Sequence, residues 1–171
     1  MSAVVRHSQA HLVYLSSGGT VYGDNSAEKI SEEMPLKPIS PYGLGKMMVE
    51  AAIDFMARTQ GLSVTVLRPS NPIGPWQTNL SQGVVGALMR AARQNSVFPM
   101  IGNGSSVRDY FDVRDLISAI DAVIEQPDVS QGQVWNVGSG QGTSVQEMLE
   151  FVQTASGRTI KTEYLPARDF P

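Results

Sequence analysis

The chain alternates between short strand-like apolar runs and longer segments with helical periodicity, and this alternation most strongly constrains its fold. β-Branched and aromatic residues bounded by turn signals predict strands at His11–Ser17, Leu62–Leu67 and Gln133–Val137, with shorter ones at Val97–Ile101 and Thr159–Tyr164. Apolar residues at helical spacing predict helices at 43–61, 80–94, 112–126 and 144–157. Because strands that alternate with helices usually pair in parallel, the pattern predicts an α/β fold with a parallel sheet and flanking helices.

Several predicted helix ends carry capping residues. Gly61 is typical of a helix C-terminus, Asp112 of an N-cap, and Ser144 with Glu147 of a capping box. Arg68-Pro69 is expected to end the second strand. The first long helix has one apolar face, made of residues 44, 47, 48, 51, 52 and 55. The helix after Asp112 is expected to face the core with Leu116, Ile117, Ile120, Val123 and Ile124.

Composition excludes several kinds of site and partner. The chain has no cysteine and two histidines, which excludes a disulfide framework, a thiolate zinc site, a cysteine nucleophile and a histidine-rich metal centre. A formal net charge of −3 argues against a nucleic-acid partner. No apolar run approaches the ~20 residues of a membrane span, and the N-terminal residues do not match a secretory signal. We therefore expect no membrane partner and a cytoplasmic location.

The segment Ser40-Pro-Tyr-Gly-Leu-Gly-Lys46 places a tyrosine and a lysine four residues apart at the start of a predicted helix. This spacing puts both side chains on one helix face. A free tyrosine has a pKa of about 10, too high for a base at neutral pH. A neighbouring ammonium and a helix N-terminus both stabilise a phenolate, so Tyr42 is a candidate acid/base. Alone, the spacing is more typical of an ordinary exposed tyrosine and lysine, so the neighbouring motifs decide between the two interpretations.

Five other motifs accompany this segment: YLSSGGTVYGD (14–24), LRPSNPIGP (67–75), IGNGSSVRDYFDVRDL (101–116), WNVGSG (135–140) and PAR (166–168). Together the six resemble the extended short-chain dehydrogenase/reductase family, the group of NAD-dependent nucleotide-sugar epimerases and dehydratases. Each motif alone has low specificity, but they follow the family's order and cover most of the chain. The resemblance implies a partial Rossmann-like parallel sheet with part of a small substrate-binding region, NAD as cofactor and a UDP-sugar as substrate.

The resemblance also implies catalytic roles. Tyr42 would take a proton from the sugar 4-hydroxyl while hydride leaves C4 for NAD. Lys46 would hold the nicotinamide ribose hydroxyls and favour the Tyr42 phenolate. The family's third catalytic group is a Ser or Thr three residues before VYG, where this chain has Gly18. The missing hydroxyl would come from Ser17 or Thr20, and both remain candidates.

Further family positions imply contacts with cofactor and substrate. Ser70 matches a position that contacts the nicotinamide. The positions implied to contact the nucleotide sugar are Asn71, Asn79, Leu80, Pro99, Ile101, Arg108 and Arg168. Both arginines match residues that grip the diphosphate, a role that suits the planar guanidinium because it donates paired hydrogen bonds to phosphate oxygens.

The residues before VYG also distinguish reaction types. Family dehydratases resemble TDEVYG here, with an Asp and a Glu that carry the proton transfers of water loss, whereas this chain has Gly19 and Thr20. Without paired carboxylates, elimination lacks its acid and base. The resemblance therefore implies UDP-hexose 4-epimerase-like chemistry, with a dehydratase or reductase of the same family as the alternative.

A second glycine-rich segment, Val137 to Gly142, follows a predicted strand and precedes a helix. With Glu163 after it, the segment mimics a dinucleotide-binding fingerprint. Its spacing is G-x-G-x-G rather than G-x-G-x-x-G. We therefore expect a sheet–helix turn here and no cofactor contact.

The family's first strand, glycine turn and acidic residue have no counterpart before His11. We therefore expect residues 1–76 to form the C-terminal part of an NAD-binding Rossmann domain. Residues 77–171 would be mainly substrate-binding, with a Rossmann strand and helix near 105–138. We expect this chain alone to be inactive as an oxidoreductase.

Two non-catalytic alternatives remain. One is a nucleotide-sugar binding module. The other is a dimerisation fragment, because in the family the helix after SPYGLGK commonly packs in a homodimer and could present Met47, Met48, Phe55 and Met56. We also expect the uncharged edge of HLVYLSS to be paired, by a second copy or by a rearranged N-terminus.

Overall fold

A computed structural model describes residues 10–24, 29–80 and 82–166. Its strands are β1 (His11–Leu15), β2 (Ser63–Pro69), β3 (Asn71–Ile73), β4 (Phe98–Ile101), β5 (Val107–Asp112), β6 (Val134–Val137), β7 (Gly142–Ser144) and β8 (Thr162–Leu165). Its helices are α1 (Gly18–Val21), α2 (Pro41–Gln60), α3 (Val84–Gln94), α4 (Val113–Glu125), α5 (Pro127–Ser130) and α6 (Val145–Ser156). No helix in the described ranges has the length and hydrophobicity of a bilayer-spanning segment.

The chain divides into two compact units. The first unit contains the described residues up to Pro72 together with Phe111–Gly140, and the second contains Ile73–Tyr110 and the described residues from Gln141 onward.

The first unit is built on a parallel sheet in the order β1-β2-β6, which confirms the predicted α/β fold with a parallel sheet. The central strand, β2, is buried from Val64 to Pro69, as expected for a strand covered on both faces. Ile53 of α2 packs with Leu62, Val64 and Val66 in one apolar cluster. Burial of such side chains is worth roughly 1.5–3 kcal/mol each.

Helix α2 ends at the predicted Gly61 cap and begins at Pro41, two residues before the predicted start. The Ser40 side chain accepts a hydrogen bond from the Gly43 N–H at 3.1 Å, and Pro41 occupies the first turn. Gly61 adopts φ +66° and its N–H donates to the Ala57 carbonyl at 3.1 Å. This left-handed conformation favours glycine.

The face of α2 that packs on the sheet is not its most apolar face. The helix buries Gly43, Glu50 and Ile53. Met48 and Phe55, from the predicted apolar face, are exposed. Met56 instead packs against the first unit's core. The homodimer that such a face would serve stays a prediction.

Helix α4 is capped as predicted, because the Asp112 carboxylate accepts from the Arg114 N–H at 2.8 Å. Its predicted core face is partly wrong. Leu116 and Val123 are buried, whereas Ile117 and Ile124 are exposed. Leu116, the half-buried Ile120 and Val123 form one narrow stripe. Ile117 and Ile124 each lie one position beside it.

The second unit has its own apolar core between α3, α6 and the paired strands β4 and β8. Its fully buried members include Leu88 and Met100. The capping box of α6 is confirmed, since Ser144 and Glu147 satisfy each other's backbone N–H groups. Helix α3 begins at Val84, four residues later than predicted, after Gly83 at φ +73°.

Several short elements were not predicted. β2 continues through Arg68-Pro69 rather than ending there. The elements α1, α5, β3, β5 and β7 were also not predicted. In β7, Gly142 pairs with Asp109, and a Cβ on this glycine would lie 2.6 Å from the Val107 side chain. This contact gives a packing reason for glycine at position 142.

A pair of glycine substitutions in α2 tests the packing of this helix on α1. A Cβ at Gly43 would lie 2.6 Å from the Thr20 carbonyl oxygen, whereas one at Gly45 would meet nothing within 4 Å. We expect Gly43→Ala to lower the free energy of unfolding in urea by about 1–3 kcal/mol. Gly45→Ala should raise it by about 0.5–1 kcal/mol. Equal effects of the two substitutions would contradict this close approach.

Candidate active site

Tyr42 and Lys46 lie in the first two turns of α2. Tyr42 is 59% exposed, and Lys46 is half-buried. The Lys46 ammonium nitrogen lies 5.8 Å from the centre of the Tyr42 ring. The pair therefore shares one helix face, with a phenol accessible to ligand and an ammonium beside it.

Lys46 also joins α2 to the end of β1. Its Nζ donates a hydrogen bond of 2.7 Å to the carbonyl oxygen of Leu15. The same nitrogen lies 5.2 Å from the centre of the Tyr14 ring. Two successive residues of β1 thus contact the ammonium, one through its backbone and one through an aromatic face.

The turn after β1 carries the two candidate hydroxyl groups and lies directly under α2. Ser17 is the N-cap of α1, and its carbonyl accepts from the Thr20 N–H at 3.1 Å. The Thr20 hydroxyl donates to the same carbonyl at 3.4 Å. Because Gly43 leaves no room for a Cβ above the Thr20 carbonyl, the start of α2 and this turn are in van der Waals contact.

Gly18 has a structural reason for lacking a hydroxyl. A Cβ at this position would lie 2.7 Å from the Arg68 carbonyl oxygen and 3.4 Å from that of Pro69. A serine or threonine there would require the turn to move away from β2. Ser17 and Thr20 therefore remain the hydroxyl groups that this turn offers.

Ser70 and Asn71 follow directly after β2. The Ser70 N–H donates to the Val137 carbonyl at 2.8 Å, but its hydroxyl oxygen is buried and has no hydrogen-bond partner. A buried polar atom without a hydrogen-bond partner lowers the stability of the fold. A ligand atom that hydrogen-bonds to this hydroxyl would remove that penalty. A Cβ at Gly19 would lie 3.8 Å from the Asn71 amide nitrogen, an ordinary contact distance.

A buried ion pair joins α2 to β2 near the candidate site. Glu50 and Arg68 are only 8% and 7% exposed, and Nη2 of Arg68 donates to the Glu50 carboxylate at 2.7 Å. Nε of Arg68 lies 3.2 Å from both carboxylate oxygens. The Ser16 hydroxyl donates to the same carboxylate. Sequence reasoning missed Glu50, whose signal is its position one turn after Lys46 on the same face.

The ion pair extends to the third strand of the sheet. Nη1 of Arg68 donates to the Tyr22 hydroxyl at 2.7 Å, which donates in turn to the Asn136 side-chain oxygen at 2.7 Å. Burial lowers the pKa of the Arg68 guanidinium, but the hydrogen bonds with Glu50 and Tyr22 outweigh burial and hold the pKa above its usual value. Arg68 therefore stays charged, and the network links β1, β2, β6 and α2.

The remaining predicted site residues lie in the second unit or outside the described ranges. Pro99 and Ile101 occupy the exposed face of β4. Arg108 lies on β5 and donates to the Val107 carbonyl at 2.7 Å. Asn79 and Leu80 lie in the loop before α3. Arg168 falls outside the described residues.

Comparison with known proteins shows clear relatives. The model of the NAD dependent epimerase/dehydratase family matches residues 1–138. The chain is 35% identical to a probable UDP-arabinose 4-epimerase of Arabidopsis thaliana, over 98% of this chain and 45% of the relative. The chain spans about half the length of the curated relatives it matches.

Two solved structures share the fold. The UDP-glucose 4-epimerase of Thermotoga maritima with UDP-glucose superposes with a TM-score of 0.88 at 31% identity, covering 98% of this chain and 54% of that one. The dTDP-glucose 4,6-dehydratase of Bacillus anthracis in complex with NAD superposes with a TM-score of 0.87 at 28% identity, covering 99% and 53%. The fold therefore does not separate epimerases from dehydratases.

Substitutions in the buried ion pair test its energetics. Glu50→Leu should lower the free energy of unfolding by about 3–5 kcal/mol, because it leaves the Arg68 charge buried and unpaired. The double variant Glu50→Leu/Arg68→Met should recover most of that loss, since a buried apolar pair can replace a buried ion pair. The free energy of unfolding of each variant is measured by urea denaturation.

The exposed pair in the same helix provides the control. Asp54 and Arg58 form an ion pair of 3.0 Å with both side chains about two-thirds exposed (65% and 64%). Asp54→Ala should cost no more than about 0.5 kcal/mol. An equally small effect for Glu50→Leu would contradict the assignment of a paired, buried charge.

Proposed function

The chain belongs to the NAD dependent epimerase/dehydratase family, a family of enzymes, and we propose that it carries the acid/base part of a UDP-sugar 4-epimerase site. One observation carries this proposal. The exposed Tyr42 phenol lies beside the Lys46 ammonium, and the Ser17–Thr20 turn packs against the start of their helix. A phenol, an ammonium and a hydroxyl at one place are the groups that proton exchange with a sugar hydroxyl requires.

The residues present are compatible with NAD. The ammonium of Lys46 has three N–H donors, of which the bond to Leu15 uses one, so two can bind ribose hydroxyls. The buried, unpartnered hydroxyl of Ser70 offers a hydrogen bond to the nicotinamide. When bound, NAD supplies the hydride acceptor for C4 of the sugar.

The chain's own groups then handle the proton. Tyr42 Oη accepts the proton of the sugar 4-hydroxyl, and the Lys46 ammonium beside it stabilises the charge that changes there. The hydroxyl of Ser17 or Thr20 holds the sugar oxygen in reach. After the keto sugar has turned, the hydride would return to the opposite face of C4, which inverts that centre, and Tyr42 would return the proton to the 4-oxygen.

The residues around Gly19 favour epimerisation over water loss. A Cβ at position 19 would lie at ordinary contact distances of 3.8 and 4.0 Å from its neighbours, so the turn does not itself require glycine there. The chain has glycine and threonine at positions 19 and 20. An elimination would have no acid/base pair at this turn.

We further propose that the 171 residues alone do not turn over substrate, because their sequence has no G-x-x-G-x-x-G segment to form the glycine turn and helix N-terminus that bind a pyrophosphate. The activity is therefore tested in a version extended to the length of the curated relatives, with this chain alone as the comparison. Turnover of UDP-glucose by this chain alone would contradict that part of the proposal.

Tyr42→Phe in the extended version tests the proton-transfer role. Because general acid/base groups contribute about 10²–10⁴-fold, we expect kcat for UDP-glucose to fall by about 100-fold or more. The Kd for UDP-glucose, measured by calorimetry, should change less than about twofold. Tyr164→Phe, which alters an exposed tyrosine of β8, should leave both values unchanged.

Two outcomes of that experiment would overturn the proposal. A Tyr42→Phe variant with a normal kcat would remove the phenol from the reaction. UDP-glucose binding with no turnover in the unaltered extended protein would favour a nucleotide-sugar binding module instead.

A further inference from the structure

Tyr14 is the one aromatic residue of β1, and it contacts the charged group of the candidate site. The Lys46 ammonium lies over its ring at 5.2 Å from the centre, closer than the 5.8 Å to the Tyr42 ring. The neighbouring carbonyl, that of Leu15, accepts a hydrogen bond from the same ammonium. The ammonium is therefore held by two successive residues of β1 on one side and faces Tyr42 on the other.

The two rings differ in how firmly they are held. Tyr14 packs against the apolar cluster of the first unit, and in the sheet it lies in register with the buried Val66. Tyr42 is mostly exposed. Because a half-buried ring held in a sheet loses little further freedom when it binds a cation, Tyr14 is the better anchor for a flexible lysine side chain.

We propose that Tyr14 is a positioning residue, whose ring and adjoining carbonyl fix the Lys46 ammonium beside Tyr42. The proposal deepens the proposed function and rests on it for its catalytic consequence, but the geometric part concerns Tyr14 and Lys46 alone. The ring provides the interaction, and the Tyr14 hydroxyl is not required.

The titration of Tyr14 agrees with this division of roles. Burial raises the pKa of the Tyr14 phenol, and the nearby Glu50 carboxylate and Tyr42 raise it further. Tyr14 therefore stays a neutral phenol near neutral pH. A neutral ring binds the ammonium through its face and does not compete with Tyr42 as a base.

The experiment compares Tyr14→Phe, which keeps the ring, with Tyr14→Leu, which keeps apolar bulk and removes it. The first readout is the NMR shift of the Lys46 ε-methylene protons in the 171-residue chain, assigned by their loss in Lys46→Met. Protons held over an aromatic face resonate upfield. We expect an upfield displacement in the unaltered chain, in Tyr14→Phe and, largely, in Tyr42→Leu, which removes the other ring near the ammonium. Tyr14→Leu should lose most of it.

The second readout is turnover in the extended version. A cation–π contact that is partly shielded from water corresponds to about tenfold in an equilibrium. We therefore expect Tyr14→Leu to lower kcat by about tenfold with little change in KM, and Tyr14→Phe to restore the rate. If Tyr14 only filled the core, Tyr14→Leu would lower the free energy of unfolding without moving the Lys46 resonance.

The outcomes separate this proposal from the proposed function. An unaltered chain whose Lys46 resonance has no upfield displacement, or a Tyr14→Leu variant that retains it, overturns the positioning role. If Tyr14→Leu does not fold, the spectra of the unaltered chain and of Tyr42→Leu still decide, because in Tyr42→Leu the Tyr14 ring alone must keep the displacement. A displaced resonance together with full activity in Tyr42→Phe overturns the proposed function and leaves the geometric role of Tyr14 standing.

Discussion

Three residues along one face of helix α2 contact the end of β1 and the turn that follows it, and the candidate site depends on this attachment. Gly43 contacts the Thr20 carbonyl, Lys46 donates to the Leu15 carbonyl, and Glu50 accepts from Ser16. Positions three and four apart face the same side of a helix. The spacing that brings Tyr42 and Lys46 together therefore also fixes them to the turn that carries the candidate hydroxyls.

The buried face of α2 differs from that of an ordinary amphipathic helix because it carries charged side chains. Two of its three contacts are made by charged side chains, and the buried carboxylate is tolerated because Arg68 pairs with it. A buried ion pair contributes little net stability compared with apolar packing. It does hold its partners in a defined geometry, because a displaced partner would leave a buried charge unsatisfied. Such a face suits a site in which groups must meet at fixed distances.

The sequence was informative where a local rule sets the structure. The caps at Gly61 and Asp112 and the capping box at Ser144 follow from residue preferences that act within a few positions. The parallel sheet follows from the alternation of strand and helix signals along the chain. The buried face of α2 could not be predicted from hydrophobicity, because the pairing of Glu50 with Arg68 is a contact between residues far apart in sequence. The anchoring role that we assign to Tyr14 has the same origin, since only the fold brings its ring to Lys46.

The product that the extended protein forms from UDP-glucose distinguishes inversion at C4 from loss of water. Proton NMR of UDP-glucose incubated with that protein and NAD should show the 4-epimer, with the sugar's C6 hydroxyl retained, because the turn before VYG carries no carboxylate pair. A product that has lost water, with a ketone at C4 and a methyl group at C6, would contradict the account.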